Sequence, residues 1–221
     1  MFKNKHKGED IYVLGSGATL NYVDKIFFSN KITICVNEVA EIYLPTSQYV
    51  VTKYHKDSIS LAKKLPDTIV FVSKGDLGSQ HTGQLPNLPN LKTFGHNINK
   101  DAATSVVTDW PQDEDYIYVS WSSITSAIHI AAYMGAKNII LVGHDCGELG
   151  GKNWVDGYVY YNYNDKEKVE EAVERNKRFE LQTISLKGKL ISLYGCNIYS
   201  LNPFINYNLE GVTYRGNNTI N

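Results

Sequence analysis

The chain has 221 residues, 43% of them hydrophobic and 20% charged, which suits one globular domain that buries roughly 70% of its unfolded surface with no disulfide or metal staple. Its formal net charge of −1 argues against a protein that holds nucleic acid chiefly through phosphates, since such proteins carry a basic excess. Cys35, Cys146 and Cys196 form no CxxC pair, which speaks against a disulfide framework or zinc site and fits reduced thiols in the cytoplasm.

The opening MFKNKHKGED is charged and has no apolar signal region. Ile11 to Leu14 reads as a buried strand ending at Gly15. After Gly15-Ser16-Gly17-Ala18-Thr19-Leu20, a helix is expected through Asn21 to Phe28. Further strands are expected at Ile32 to Val36, Tyr49 to Thr52 and Thr68 to Val72, with a helix over Asp57 to Leu65. The stretch 74–109 is rich in Gly, Pro, Asn and His and reads as an irregular excursion with one short strand near Leu91 to Phe94. His55, His81 and His96 lie in or near it at spacings that match no metal motif.

Tyr116 to Val119 is the next strand, and Ser122 to Met134 a helix with small residues on one side, closed by Gly135. Asn138 to Val142 is the clearest strand of the chain. The aromatic, glycine-bearing stretch 146–164 reads as a lid. Asp165 is the expected N-cap of a helix reaching Leu186, and Leu190 to Tyr194 a late strand. No run approaches the roughly 18 apolar residues of a membrane span.

Strands alternating with helices predict an α/β, Rossmann-like fold over 1–221 as one domain, with a mostly parallel sheet and helices on both faces. Ligands of such sheets sit beyond the carboxyl ends of the strands. That rule selects Gly15 to Thr19, Asn37, Thr52 to His55, Ser120 to Ser123 and Gly143 to Gly147.

Gly15, Ser16 and Gly17 let the backbone approach an anion, with Ser16 and Thr19 adding hydroxyl donors. The motif is neither a complete GxGxxG, since Leu20 stands where the third Gly would be, nor a P-loop. Asn37 ends a strand where an amide can read a base or ribose, or cap a turn, and Glu38 follows it. Ser122 and Ser123 open a helix and can cap it, face a ligand, or both. His144 and Asp145 follow Gly143 at the end of the clearest strand. Either can do acid–base work, and Asp145 could instead hold a divalent ion or a ribose. Tyrosine is abundant, at 16 residues. Tyr158, Tyr160, Tyr161 and Tyr163 in the lid stretch can donate to a leaving phosphate, or pack across a hairpin.

Three segments together resemble the bacterial family 42 sialyltransferases and a related 6-hydroxymethylpterin pyrophosphokinase-like family. They are Ile11 to Leu20, similar to a strand followed by Gly-x-Gly-Pro-Ser-Leu; Cys35-Val36-Asn37; and Ser122-Ser123-Ile124 running on to Gly143-His144-Asp145. Asn197 to Phe204 is similar to the sialyltransferases' last segment.

The resemblance implies a nucleotide-sugar site, with Gly15, Ser16 and Gly17 near the nucleotide and Asn37 near base or ribose. It puts Ser122 and Ser123 near the phosphate or donor, and tyrosines after Asp145, Tyr158 and Tyr161 among them, on the leaving group. Thr19 and Gly143 join these as expected nucleotide contacts. The resemblance implies no metal and no cofactor beyond the nucleotide sugar. Ala18-Thr19 stands where the family has Pro-Ser, and Tyr161 to Asp165 lacks the family's His before the long helix. The general base is left open among His144, Asp145, Asp156 and Asp165.

Three functions follow as expectations. The first is a glycosyltransferase acting from a nucleotide sugar on a hydroxyl acceptor, either a glycan or a hydroxylated DNA base, so that nucleic acid enters only as acceptor. The second is a pyrophosphokinase-like enzyme using ATP and magnesium, with Asp145 on the metal. The third is a non-catalytic nucleotide-binding module. Homo-oligomerisation stays open.

Overall fold

The computed structural model describes residues 2–75, 84–98, 116–119, 122–147, 149, 151–159 and 166–201, with the backbone alone at 96–98 and 166–178. Its strands are β1 (Asp10–Leu14), β2 (Ile32–Val36), β3 (Tyr49–Thr52), β4 (Ile69–Ser73), β5 (Leu91–Ile98), β6 (Tyr116–Val119), β7 (Asn138–Val142) and β8 (Asn197–Ser200). They form an eight-stranded sheet of order β6-β5-β4-β3-β2-β1-β7-β8. Every pairing between neighbours is parallel. The helices are α1 (Val39–Ile42), α2 (His55–Lys64), α3 (Ser123–Tyr133) and α4 (Lys166–Tyr194). This is the α/β, Rossmann-like fold expected, with helices on both faces.

Alternation along the strands explains why they read as unbroken apolar runs. Ile11 and Val13 point to one face, where residues of α3 and α4 meet them. Tyr12 and Leu14 point to the other, against residues of α1 and α2. A strand covered on both faces needs apolar residues at every position. Ile11, Val13, Leu14, Ile139, Ile140, Leu141 and Val142 are all 0% exposed. At roughly 1.5–3 kcal/mol per side chain, their burial makes the β1–β7 seam the firmest part of the sheet.

That seam is also where the chain reverses direction. From β1 the strands step outward through β2 to β6; α3 then carries the chain back to β7, on the other side of β1. Ser126, Ala127, Ala131 and Ala132 are buried and small, which lets α3 lie close on the sheet. Ser122 caps it, its side chain accepting from the Ile124 amide at 3.4 Å. Gly135, at φ +88°, turns the chain out of the helix.

Three expectations are corrected. Asn21 to Phe28 is not one helix but parts of two short 3-10 helices, Ala18–Tyr22 and Lys25–Phe28. Val23 between them is extended and buried, and the Asp24 side chain accepts from the Ile26 amide to start the second. Leu190 to Tyr194 is not a strand but the last turn and a half of α4. Leu186 and Leu190, four residues apart and both 0% exposed, put that stretch on helical spacing. Gly195, at φ +65°, ends the helix, and the strand is Asn197–Ser200. The strand near Leu91 runs on to Ile98. Asp165, the expected cap of α4, lies outside the described residues.

Candidate functional site

The loops after β1 and β7 meet at the reversal point through three glycines. The Gly15 amide donates to the Val142 carbonyl at 2.8 Å and the Gly17 amide to the Gly143 carbonyl at 2.7 Å. A Cβ on Gly15 would lie 2.6 Å from the Gly143 oxygen, and one on Gly17 would lie 2.5 Å from Asp145 Oδ2. Gly143 has φ +65°, and its missing Cβ leaves room for Leu20, whose Cγ would lie 2.7 Å away. The glycines are therefore required first by the packing of one loop on the other.

Asp145 completes the seam. It is 2% exposed. The Thr19 amide donates to its Oδ2 at 2.8 Å, and the Thr19 hydroxyl to its Oδ1 at 2.5 Å. Burial pushes its carboxyl above the usual aspartate range, with the two Thr19 bonds pulling the other way. Thr19 is 2% exposed and is turned to Asp145 rather than to the cavity that opens above.

That cavity, of about 530 Å³, lies over the carboxyl ends of β1, β2, β3 and β7 and the start of α3. The size suits a ligand of cofactor dimensions. Gly15, Ser16, Gly17, Asn37, Ser122, Ser123, Gly143, His144, Asp145 and Tyr158 all line it. Of the other site candidates, Thr19 does not, and Tyr161 lies outside the described residues.

Asn37 ends β2 in the left-handed region, at φ 53°, where asparagine is one of the few side chains tolerated. Its amide donates to the Val51 carbonyl at 3.0 Å, but its side-chain Oδ1 is buried with no hydrogen-bond partner. Such an acceptor calls for a donor from outside the chain. Glu38, beside it, is held above the usual carboxylate range by burial, and Asp57 and Glu41 push the same way. Ser122 and Ser123 bring the first turn of α3 to the same cavity, an end that favours negative charge.

His144 is neutral. The Thr183 hydroxyl donates to the Phe179 carbonyl at 3.0 Å and meets His144 Nε2 at 2.7 Å. Cys146 Sγ lies 3.7 Å from Nδ1. Burial pushes the imidazole down to about 3. Asp156 is exposed and ion-paired to Lys152 at 2.7 Å.

Sequence reasoning passed over Lys56, Asp57, Asn153, Trp154 and Phe179, which also line the cavity. Lys53 and Tyr54 lie in the stretch after β3 that the carboxyl-end rule had marked, and they line it too. Nothing local in the sequence signals Asn153, which reaches the cavity because its segment folds back over the β1 loop. The Val155 amide donates to the Ser16 carbonyl at 2.9 Å, and the Asp156 amide to Asn21 Oδ1 at 2.9 Å. Among the described residues no three His, Cys, Asp or Glu side chains gather as a metal ion would need, and no helix is long and apolar enough to cross a membrane.

No protein-family model matches the chain, and no curated protein matches it. Two solved structures do. The chain is similar to the monofunctional alpha-2,3-sialyltransferase Cst-I from Campylobacter jejuni, at 18% identity and a TM-score of 0.54, over 100% of this chain and 84% of that one. It also aligns with the sialyltransferase CstII from Campylobacter jejuni, at 13% identity and a TM-score of 0.49, over 97% of this chain and 88% of that one. The first likeness shows a shared fold. The pyrophosphokinase half of the resemblance finds no support in either.

Proposed function

We propose that the chain is a glycosyltransferase that moves a sugar from a nucleotide-sugar donor to a hydroxyl acceptor. The observation that carries this reading is the buried, unpartnered Oδ1 of Asn37, a residue that lines one cavity together with the start of α3. The nucleoside lies against Asn37 and Glu38, and the phosphate against Ser122, Ser123 and the positive end of the α3 dipole. The fold shared with a sialyltransferase supports a glycosyltransferase reading.

In the reaction the acceptor oxygen bonds to the anomeric carbon while the bond from that carbon to the phosphate oxygen breaks. The electron pair leaves with the nucleotide, and Tyr158 donates a hydrogen bond to it. The acceptor proton goes to His144 Nδ1. Asp145 is held by Thr19 and Asp156 is paired with Lys152, whereas His144 is a neutral imidazole on the cavity wall whose Nδ1 meets only the weakly donating Cys146 thiol. A base this weak suits a late transfer, when the attacking hydroxyl is already acidic. The pyrophosphokinase alternative nominated Asp145 for magnesium, and among the described residues Asp145 belongs to no group of three His, Cys, Asp or Glu side chains that could hold a metal ion.

A thermal-shift panel of cytidine, uridine, guanosine and adenosine nucleotides and their sugar conjugates tests the binding half, since a ligand stabilises in proportion to the logarithm of its concentration over Kd. A donor-hydrolysis assay tests the chemistry. His144→Gln is expected to lower kcat about 100-fold or more with nucleotide binding retained. A nucleotide bound without turnover of any sugar conjugate would leave only a binding module.

A further inference from the structure

Asn153 lines the same cavity as Asn37, and its Oδ1 is also buried with no hydrogen-bond partner. Its position is not free to adjust. On one side the Leu149 and Lys152 backbones exchange hydrogen bonds, at 2.9 and 3.1 Å. On the other the Val155 amide is tied to the Ser16 carbonyl at 2.9 Å, and the Val155 side chain, 4% exposed, is sunk in the core. Lys152 Nζ bridges the segment to Asp156 at 2.7 Å. A carbonyl oxygen clamped in this way, buried and unpaired, cannot find a partner within the chain by a small rotation of its backbone.

The two orphaned acceptors occupy different parts of the cavity. Asn37 stands at the end of β2, whereas Asn153 is carried over the β1 loop and is followed by Trp154, with Tyr158 four residues further on; both aromatics line the cavity beside it. Aromatic faces next to a hydrogen-bond acceptor suit a sugar, which offers apolar C–H faces and a rim of donors. We infer that Asn153 is a specificity-determining residue that accepts a hydrogen bond from a hydroxyl or N-acyl N–H of the transferred sugar. This rests on the nucleotide-sugar reading above and deepens it, because it separates the recognition of the sugar from that of the nucleotide.

The test is isothermal titration of wild type, Asn153→Ala and Asn153→Asp with matched pairs: CMP and CMP-N-acetylneuraminate, UDP and UDP-N-acetylglucosamine, GDP and GDP-mannose. The quantity read is the affinity for the nucleotide sugar divided by that for the bare nucleotide. For the pair that wild type binds, Asn153→Ala is expected to lower this ratio roughly tenfold, the ordinary consequence of losing a buried partner. Asn153→Asp keeps the acceptor oxygen and is expected to restore it, the ratio being read at low and high salt because nucleotide and nucleotide sugar differ in charge. Should Asn153→Ala not fold by circular dichroism, Asn153→Ser reads the same ratio. An unchanged ratio, or an equal loss for nucleotide and nucleotide sugar, overturns the inference while the nucleotide site stands. If wild type binds none of these compounds, the nucleotide-sugar reading itself falls, and this inference with it.

Discussion

At Gly17 a methyl group has no room. The nearest atom would be Asp145 Oδ2, 2.5 Å away, and Asp145 cannot swing aside because Thr19 holds both its oxygens. Gly17→Ala is therefore expected to destabilise the protein by about 1–3 kcal/mol, seen as a lower urea midpoint at unchanged slope. Asn37 gives the opposite signature. Its side chain contributes an orphaned acceptor rather than a fold contact, and its φ of 53° suits glycine. Asn37→Gly is expected to leave stability within about 1 kcal/mol and to weaken nucleotide binding roughly tenfold. A fall in stability with unchanged binding would make Asn37 a turn residue only. Gly15, Gly17, Asn37, Ser122, Ser123 and Asp145 were legible in the sequence because each follows a recognisable strand or opens a recognisable helix. The pairing of Asp145 with Thr19 was not, since the two are 126 residues apart and no local pattern links them.

Among the elements, α4 departs furthest from what its sequence suggested. Leu190-Ile191-Ser192-Leu193-Tyr194 is a short, mostly apolar run that can pass for a strand. In the fold Leu190 instead continues the buried line begun by Leu186, while Ile191 and Leu193 are 42% and 55% exposed. Leu190→Ala is expected to cost about 2–5 kcal/mol and Leu193→Ala well under 1 kcal/mol, measured by urea unfolding. A strand would bury Leu193 with its alternate partners, so equal losses at both positions would contradict the helix. A short apolar run cannot be assigned by periodicity alone, and here the packing of α4 against α3 decided it. The strands Asn138–Val142 and Tyr49–Thr52 left no such ambiguity, being short, β-branched and bounded by turn residues.

For the whole molecule, two buried neutral histidines set an acid limit. His129 accepts the Tyr118 amide on Nδ1 at 2.8 Å and meets the Tyr194 hydroxyl through Nε2 at 2.9 Å, joining β6, α3 and α4. Burial pushes both His129 and His144 down to about 3, from an ordinary value of 6.5. Below pH 6.5 the unfolded chain takes up protons that the native histidines refuse, so stability falls as the pH drops toward 3. Above 6.5 the two contribute no slope. Each adds at most about 1.4 kcal/mol per pH unit. Urea midpoints at pH 7, 6 and 5 are expected to decline, and a flat profile would mean that these side chains are solvated in the native state.

The amino-acid sequence by itself determined the first seven strands, their parallel arrangement and the loops that gather at one edge of the sheet. These depend on short-range patterns: apolar runs, caps and glycines at turns. Tertiary structure alone decided that Thr19 and Asp145 close on each other, that Asn153 reaches the cavity and that His144 meets Thr183. Each of these depends on atoms brought together from distant parts of the chain, where burial removes water as the alternative partner and makes every hydrogen bond, made or missing, count.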